Sequence, residues 1–97
     1  MSKFTYDQTA NYEAALELMN TLRGIFLSLA KSNKKYQKAL KLRAFEIGKE
    51  KQQLEPTHDR AIKNIRSTYA PLVQSYYNNP KEFTITKTFL TIKPNYL

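Results

Sequence analysis

The sequence contains no cysteine and no tryptophan, and it has only two glycines and one histidine. Without cysteine, the chain has no disulfide, no thiolate metal ligand and no thiol nucleophile. Gly24 and Gly48 stand alone, so no glycine-rich loop is present to cradle a phosphate group. His58 has no carboxylate cluster at metal-ligand spacing around it. We interpret the i, i+4 pair Glu46 and Glu50 as ordinary surface charges, and we therefore predict no catalytic site, metal or cofactor.

Long apolar segments are also missing. The longest nearly apolar run, residues 25–30, is far shorter than the roughly 20 residues that a transmembrane helix needs. The first residues have no apolar stretch of the kind that a secretory signal carries. We expect a single domain over residues 1–97, in the cytoplasm or peripheral at the inner face of the membrane.

Acidic residues are scarce relative to basic ones, because eight acids stand against 16 lysines and arginines, for a formal net charge of +8. The excess lies after residue 30. Residues 31–43 alone carry six basic side chains and no acid. This asymmetry indicates an anionic partner, which could be a nucleic acid, a lipid surface or an acidic protein.

Apolar residues at helical spacing predict a first helix over about residues 10–31. Its stripe comprises Ala15, Leu18, Met19, Leu22, Ile25, Phe26 and Leu29. Residues 1–9 are expected to be a frayed lead-in, with Asp7 or Thr9 as the N-cap. We interpret Gly24, inside the helix, as a place where a neighbouring helix approaches closely.

Two further helices are predicted over about residues 34–54 and 57–78, with a turn at Pro56 between them. We expect Thr57 to cap the third helix and Pro71 to kink or break it. The tail is ambiguous because its β-branched residues suit a strand, whereas Ile85, Phe89 and Ile92 fit helical spacing. No second strand of similar length is available to pair with it, so we favour a short helix over 84–93, capped by Thr84 and stopped by Pro94. The predicted fold is all-α, a small antiparallel four-helix bundle.

Five lysines share one face of the predicted second helix: Lys31, Lys34, Lys38, Lys41 and Lys49. We interpret them as a basic stripe that faces a membrane or another anion, although a solvated face that only keeps the bundle soluble has the same pattern. Leu42 and Phe45 lie on or beside this stripe. They either touch another helix, are simply exposed, or form an aromatic anchor inside a basic contact surface.

Several segments resemble a known family. They are ALELM at 15–19, KKYQ at 34–37, GKEKQQLEP at 48–56, AIKNIRSTY at 61–69 and FT at 83–84. In this order they resemble the immunity proteins of class IIa (pediocin-like) bacteriocins, notably the enterocin A immunity group. The likeness covers most of residues 12–90. Pro71 and the short, threonine-rich tail depart from the family pattern.

The resemblance implies an antiparallel four-helix bundle without cofactor or catalysis, which protects a bacteriocin producer from its own toxin. Such a protein recognises the mannose phosphotransferase permease, with bacteriocin bound to it, from the cytosolic side. In this family, partner discrimination is attributed to the C-terminal half of the chain, which here is residues 56–97. We take as candidate partner-binding residues Arg60, Lys63, Arg66, Phe83, Phe89 and Tyr96.

An alternative from another class is a small basic nucleic-acid-binding protein of a phage or plasmid. The basic stripe, together with Arg60, Lys63 and Arg66, could follow a phosphate backbone. The sequence has no signature of a recognition helix. The two functions therefore predict different partners for much the same basic side chains.

Overall fold

The computed structural model describes residues 6–96, which form four α-helices and one short 3₁₀ helix. The α-helices are α1 (Tyr6–Ser32), α2 (Gln37–Gln53), α3 (Asp59–Asn78) and α4 (Lys87–Thr91), and the 3₁₀ helix is Lys34–Tyr36. The described part of the chain contains no strand. The predicted all-α bundle is therefore confirmed, and its fourth helix is the shortest.

Helix α1 lies against α2 and runs antiparallel to it. The side chain of Gln37, at the start of α2, donates to the Ala30 carbonyl near the end of α1, over 3.0 Å. Lys51, near the end of α2, donates to Asn20 Oδ1 in the middle of α1, over 2.7 Å. The short connection through the 3₁₀ helix thus folds α2 back along α1.

The other side of α1 receives α3, which reverses direction once more after the turn at Pro56. The start of α3 lies beside the start of α1, where Gln8 Nε2 is 3.5 Å from Asp59 Oδ2. Further along both helices, Arg66 Nη1 donates to Asn11 Oδ1 over 3.1 Å. Helix α1 is consequently the central element, with α2 and α3 on its flanks.

The core contains the apolar stripes that the sequence predicts. Six residues of α1 are buried, and the largest fully buried side chains of the bundle are Tyr69, Phe26, Met19, Leu22, Leu40, Ile47 and Ile65. Burial of such side chains contributes about 1.5–3 kcal/mol each relative to exposure. Because α1, α2 and α3 all contribute to one cluster, none of the three can bury its stripe alone.

Four residues that were predicted as N-caps do not cap a helix in the structure. Asp7 and Thr9 lie inside α1, which already includes Tyr6, so neither caps it. The N-cap of α3 is His58 rather than Thr57, and the N-cap of α4 is Thr86 rather than Thr84. Apolar periodicity locates a helix but says little about its first turn, where several neighbouring polar residues are equally good caps.

The predictions for Pro71 and Gly24 have different outcomes. Helix α3 continues through Pro71 to Asn78, so it does not break there, and the kink given as the alternative stays a prediction. A proline removes one ladder bond, and the packed turns on both sides keep the helix intact here. A Cβ atom at Gly24 would meet nothing within 4 Å, so no neighbouring helix approaches it. Gly24 therefore costs α1 about 1 kcal/mol relative to alanine without serving a contact.

The tail forms a helix, but only over Lys87–Thr91. The backbone N–H of Phe89 donates to the Thr86 hydroxyl over 3.1 Å, which fixes the start of α4. Phe89 itself is buried against Phe26, with ring centroids 4.7 Å apart. A five-residue helix has no stability of its own, so α4 exists because this ring is anchored in the core.

Candidate functional site

Arg43 is the only charged side chain among residues 6–96 that is buried, with 4% of its surface exposed. Its Nη2 atom donates to the Tyr69 hydroxyl on α3 over 3.2 Å and to the carbonyl of Ile92 over 3.1 Å. The guanidinium also lies over the ring of Phe26, 5.9 Å from its centroid. One cation therefore joins α1, α2, α3 and the chain after α4.

Two carboxylates balance this charge. Glu46 Oε1 lies 3.5 Å and Glu50 Oε1 lies 3.9 Å from Arg43 Nη1. The other oxygen of Glu50 accepts hydrogen bonds from the Tyr69 hydroxyl over 3.2 Å and from the Tyr96 hydroxyl over 2.6 Å. Glu50 is 18% exposed and Glu46 30% exposed, so the interpretation of the pair as ordinary surface charges is wrong.

The residues after α4, 92–96, form a segment that we call the C-terminal strap. It lies between α2 and α3 and is fixed to both. Lys93 Nζ is 2.9 Å from Glu46 Oε2 on α2, and Asn64 of α3 donates to the carbonyl of Asn95 over 2.7 Å. Pro94 between them is buried. Together with the Arg43 and Tyr96 contacts, these bonds place the strap over the buried ion pairs.

The phenols of this network are held in their neutral form. Burial raises the pKa of Tyr96, and its hydrogen bonds to Glu50 and to the neighbouring phenol raise it further. Burial likewise raises the pKa of Tyr69, against the opposing effect of the neighbouring Tyr96 hydroxyl and of the hydrogen bond from Arg43. Both hydroxyls remain protonated donors at neutral pH, so the negative charge of the network resides on the two glutamates.

Glu46 gives the network a measurable pH dependence. The hydrogen bond from Lys93 lowers the pKa of Glu46 below its ordinary value, and the nearby positive charges add to this effect against partial burial. A carboxyl whose pKa is lower in the folded state stabilises that state above the unfolded pKa, about 4.3, and the contribution disappears as the pH falls through the folded pKa.

We therefore predict that Glu46→Gln lowers the free energy of unfolding at pH 7 and that the difference from the original protein shrinks below about pH 4. Urea unfolding at pH 7, 5 and 3 measures it. Glu13→Gln is the matched control, because Glu13 is exposed and no cation lies within 4 Å of it in the described region. A constant difference between pH 7 and pH 3 would contradict the assigned role of Glu46.

The predicted basic stripe is exposed throughout, but it does not lie on one helix. Lys31 belongs to the last turn of α1 and Lys34 to the 3₁₀ helix, whereas Lys38, Lys41 and Lys49 belong to α2. The predicted helix over 34–54 begins at Gln37 instead, because the 3₁₀ turn is needed to reverse the chain. The stripe is thus split between one face of α2 and the connection that precedes it.

The exposed face of α2 combines these lysines with large apolar side chains. Leu42 and Phe45 are each 59% exposed, so no other helix of the described chain covers them. Lys38, Leu42, Phe45 and Lys49 recur at i, i+4, i+7 and i+11, with Lys41 beside them, and we call these five residues the α2 outer face. Lys49 Nζ lies 4.9 Å from the centroid of the Phe45 ring.

The three basic candidates on α3 are exposed. Arg60, Lys63 and Arg66 have no carboxylate within 4 Å among residues 6–96, although Arg66 is engaged by Asn11. Lys63 and Arg66 line one side of a shallow recess between α1 and α3. The structure therefore keeps these side chains together and available on a surface different from the α2 outer face.

The aromatic candidates Phe83, Phe89 and Tyr96 are buried to different extents. Phe89 is only 3% exposed and belongs to the core, so it is not available as a contact residue in this conformation. Phe83 is half-buried and packs edge-on against Phe89, with centroids 4.9 Å apart, and against Tyr76 at 5.5 Å. Tyr96 is 37% exposed, but its hydroxyl is bound to Glu50. These rings hold the tail on the bundle.

Sequence reasoning did not identify Arg43 or the strap. Arg43 was counted only as part of a basic run, although it lies at i−3 and i−7 from Glu46 and Glu50, and at i−1 from the apolar position Ala44. These spacings place the three charges on one side of α2, next to its apolar stripe. Which tyrosines complete the network depends on contacts across 26 and 46 residues, for which the sequence has no signal.

Comparisons with protein-family models, with curated proteins and with solved structures gave no match to this chain. Within the described range, histidine, aspartate and glutamate side chains form no group of three that could hold a metal ion. No helix among residues 6–96 combines the length and the apolar character needed to cross a bilayer. The exposed surfaces of the bundle are therefore the structural features that bear on function.

Proposed function

We propose that this chain is a non-enzymatic bacteriocin immunity protein of the pediocin-like type. It would act in the cytoplasm, peripheral to the inner face of the membrane, by recognising the mannose phosphotransferase permease with bacteriocin bound. The resemblance of residues 12–90 and the all-α bundle of four helices support the assignment. The single observation that carries the membrane-facing role is the α2 outer face, where exposed leucine and phenylalanine stand among lysines.

The α2 outer face is suited to the surface of an anionic bilayer. Lysines near such a surface contribute about 1 kcal/mol each, and their long side chains reach the headgroups. Leu42 and Phe45 project from the middle of the same face, where an aromatic ring can enter the interfacial layer without a spanning segment. A purely solvated face gains nothing from two large exposed apolar side chains.

The function is tested by expressing the full chain inside a sensitive lactic acid bacterium or Listeria strain and challenging it with a panel of pediocin-like bacteriocins. We expect protection against one or a few members, because the protein would recognise a specific toxin-loaded receptor. Minimal inhibitory concentrations measure the effect, with an empty vector as control. Full sensitivity to a broad panel, with expression verified, would remove the immunity proposal.

The orienting role of the α2 outer face is tested separately on vesicles. We predict that Lys38→Glu, Lys41→Glu and Lys49→Glu together weaken partitioning onto phosphatidylglycerol vesicles at least about tenfold at low salt. Reversing Arg60, Lys63 and Lys81 gives a control with the same net charge. Co-sedimentation measures both. Equal weakening by the two variants would assign the effect to net charge alone and contradict a specific face.

Nucleic-acid binding is the second candidate, and the exposed group Arg60, Lys63 and Arg66 on α3 is the observation that favours it. Binding through phosphate contacts releases counterions from the nucleic acid, so the affinity falls steeply as the salt concentration rises. A fluorescence titration with duplex DNA at increasing salt tests this function. Steep salt dependence, lost in the variant that reverses these residues, would favour it, and no binding at low salt would eliminate it.

A further inference from the structure

An open groove of about 720 Å³ lies between α2 and α4, on the side of the bundle next to the α2 outer face. Tyr36, Ala39 and Leu42 line one wall, and Leu90 of α4 lines the other. Tyr36 and Leu90 are half-buried, whereas Leu42 is exposed. The groove thus has an apolar floor that the four helices leave uncovered, and its volume lies within the roughly 300–1,000 Å³ of small-molecule sites.

The charged residues that line the groove are mainly basic. They are Arg43, Lys87 and Lys93 against the single lining acid Glu46, and Arg43 is also paired with Glu50 beside the groove. Arg43 and Lys93 share that acid, whereas the Lys87 ammonium has no carboxylate within 4 Å in the described chain. The buried Nε and Nη1 atoms of Arg43 find no hydrogen-bond acceptor. The positive potential at the groove is therefore incompletely neutralised.

An apolar floor beside one unpaired cation matches a particular class of ligand. We propose that the groove binds a free fatty acid, with its chain along Leu42 and Leu90 and its carboxylate at Lys87. Both walls are helices, so the groove offers side chains but no strand edge to which the main chain of an extended peptide could add. A flat bilayer cannot fill a concave surface.

This site is distinct from the convex α2 outer face, although Leu42 belongs to both. The membrane-facing role uses lysines that point away from the bundle, whereas the groove uses Lys87 of α4. The inference does not depend on bacteriocin immunity, since it rests only on the shape, the apolar lining and the charge of the groove.

A titration of the full chain with sodium laurate, kept below its micelle concentration, tests the proposal by ¹H–¹⁵N NMR. We expect saturable shifts that cluster at the amides of Tyr36, Ala39, Leu42 and Leu90. Dodecyltrimethylammonium, with the same chain and the opposite charge, is the matched control and should bind much more weakly. Equal binding of the two detergents, or shifts spread over the whole bundle, would overturn the proposal.

Variants separate the head-group contact from the chain contact. Lys87→Gln should weaken laurate binding about three- to fivefold, the effect of losing one exposed charge interaction. Ala39→Trp should fill the groove and abolish the saturable shifts. Lys81→Gln, also an exposed lysine of the C-terminal third, should change nothing. Unchanged affinity in both Lys87→Gln and Ala39→Trp would show that laurate binds elsewhere.

The same titration with monomeric lysophosphatidylglycerol distinguishes a fatty acid from a membrane lipid. Both carry one chain and an anionic head, but the glycerol phosphate needs more polar partners than the rim near Lys87 supplies. The Thr91 hydroxyl there already donates to the carbonyl of Lys87 over 2.7 Å. Tighter binding of lysophosphatidylglycerol than of laurate would overturn the fatty-acid assignment.

Discussion

Replacing Arg43 with alanine is expected to lower the free energy of unfolding by about 3–5 kcal/mol. The substitution removes the cation that neutralises Glu50, which is only 18% exposed, and leaves a partly buried carboxylate without a balancing charge. It also removes a hydrogen-bond donor from Tyr69 and from the Ile92 carbonyl. For a bundle of this size, with a total of about 5–15 kcal/mol, the loss is a large fraction of the stability. Urea unfolding followed by circular dichroism measures it.

A pair of variants separates charge from packing. Arg43→Met keeps most of the side-chain volume but still leaves Glu50 unbalanced, whereas adding Glu50→Gln removes that charge and keeps an acceptor for Tyr69 and Tyr96. We expect the double variant to be more stable than Arg43→Met alone. Arg23→Met is the control, because Arg23 is exposed and should change stability by less than about 0.5 kcal/mol. If Arg43→Met and the control behave alike, the buried network contributes nothing.

The same substitutions should loosen the strap before they unfold the bundle. Its contacts with α2 run through Arg43, Glu46 and Glu50. Replacing Arg43 removes the hydrogen bond to the Ile92 carbonyl and the cation that lies beside both carboxylates. In the Arg43→Met variant, amide hydrogen exchange should accelerate more in the segment after Thr91 than in α1. Unchanged exchange in this segment would show that the strap is held by its apolar contacts alone.

Phe89→Ala is expected to cost about 3–5 kcal/mol. The ring is 3% exposed, stacks on Phe26 with centroids 4.7 Å apart and receives the edge of Phe83 at 4.9 Å. Removing it leaves a cavity in the core and frees α4, whose five residues cannot form a helix without the anchor. Thermal and urea unfolding report the stability, and the chemical shifts of residues 87–91 report the helix.

Phe45→Ala is the matched control, because the same residue type stands 59% exposed on the α2 outer face. It should change the free energy of unfolding by less than about 0.5 kcal/mol while weakening adsorption to phosphatidylglycerol vesicles. Phe89→Ala is thus expected to lower stability, whereas Phe45→Ala is expected to weaken vesicle binding. Comparable destabilisation by both substitutions would contradict the burial assigned to them.

Helical periodicity predicted the existence and the order of α1, α2 and α3, because apolar spacing of three and four reports directly on which face must be buried. For α4, the lack of a partner strand decided between helix and strand. The stripe of α1 is the clearest case, since Met19, Leu22 and Phe26 are fully buried as predicted. Helix ends were less accurate. Thr57 and Thr84 are good caps by residue type, but the turn geometry selected His58 and Thr86.

The exposed surfaces could be predicted from the sequence only in part. Lysines are almost always solvated, so the exposure of the basic stripe could be predicted, as could the position of Leu42 and Phe45 beside it. Exposure of a phenylalanine could not, because both a core and a contact residue fit the same helical position. Phe45 is exposed and Phe89 lies in the core, although the residue type alone allows either position.

The sequence by itself determined an all-α chain with three amphipathic helices and a basic surface. Only the tertiary structure decided that Arg43 lies inside, that Glu50 and two tyrosines surround it, and that the strap closes over them. The physical reason is that apolar burial follows a local period, whereas a buried charge is stable only where distant segments bring donors and acceptors to it at hydrogen-bond distance.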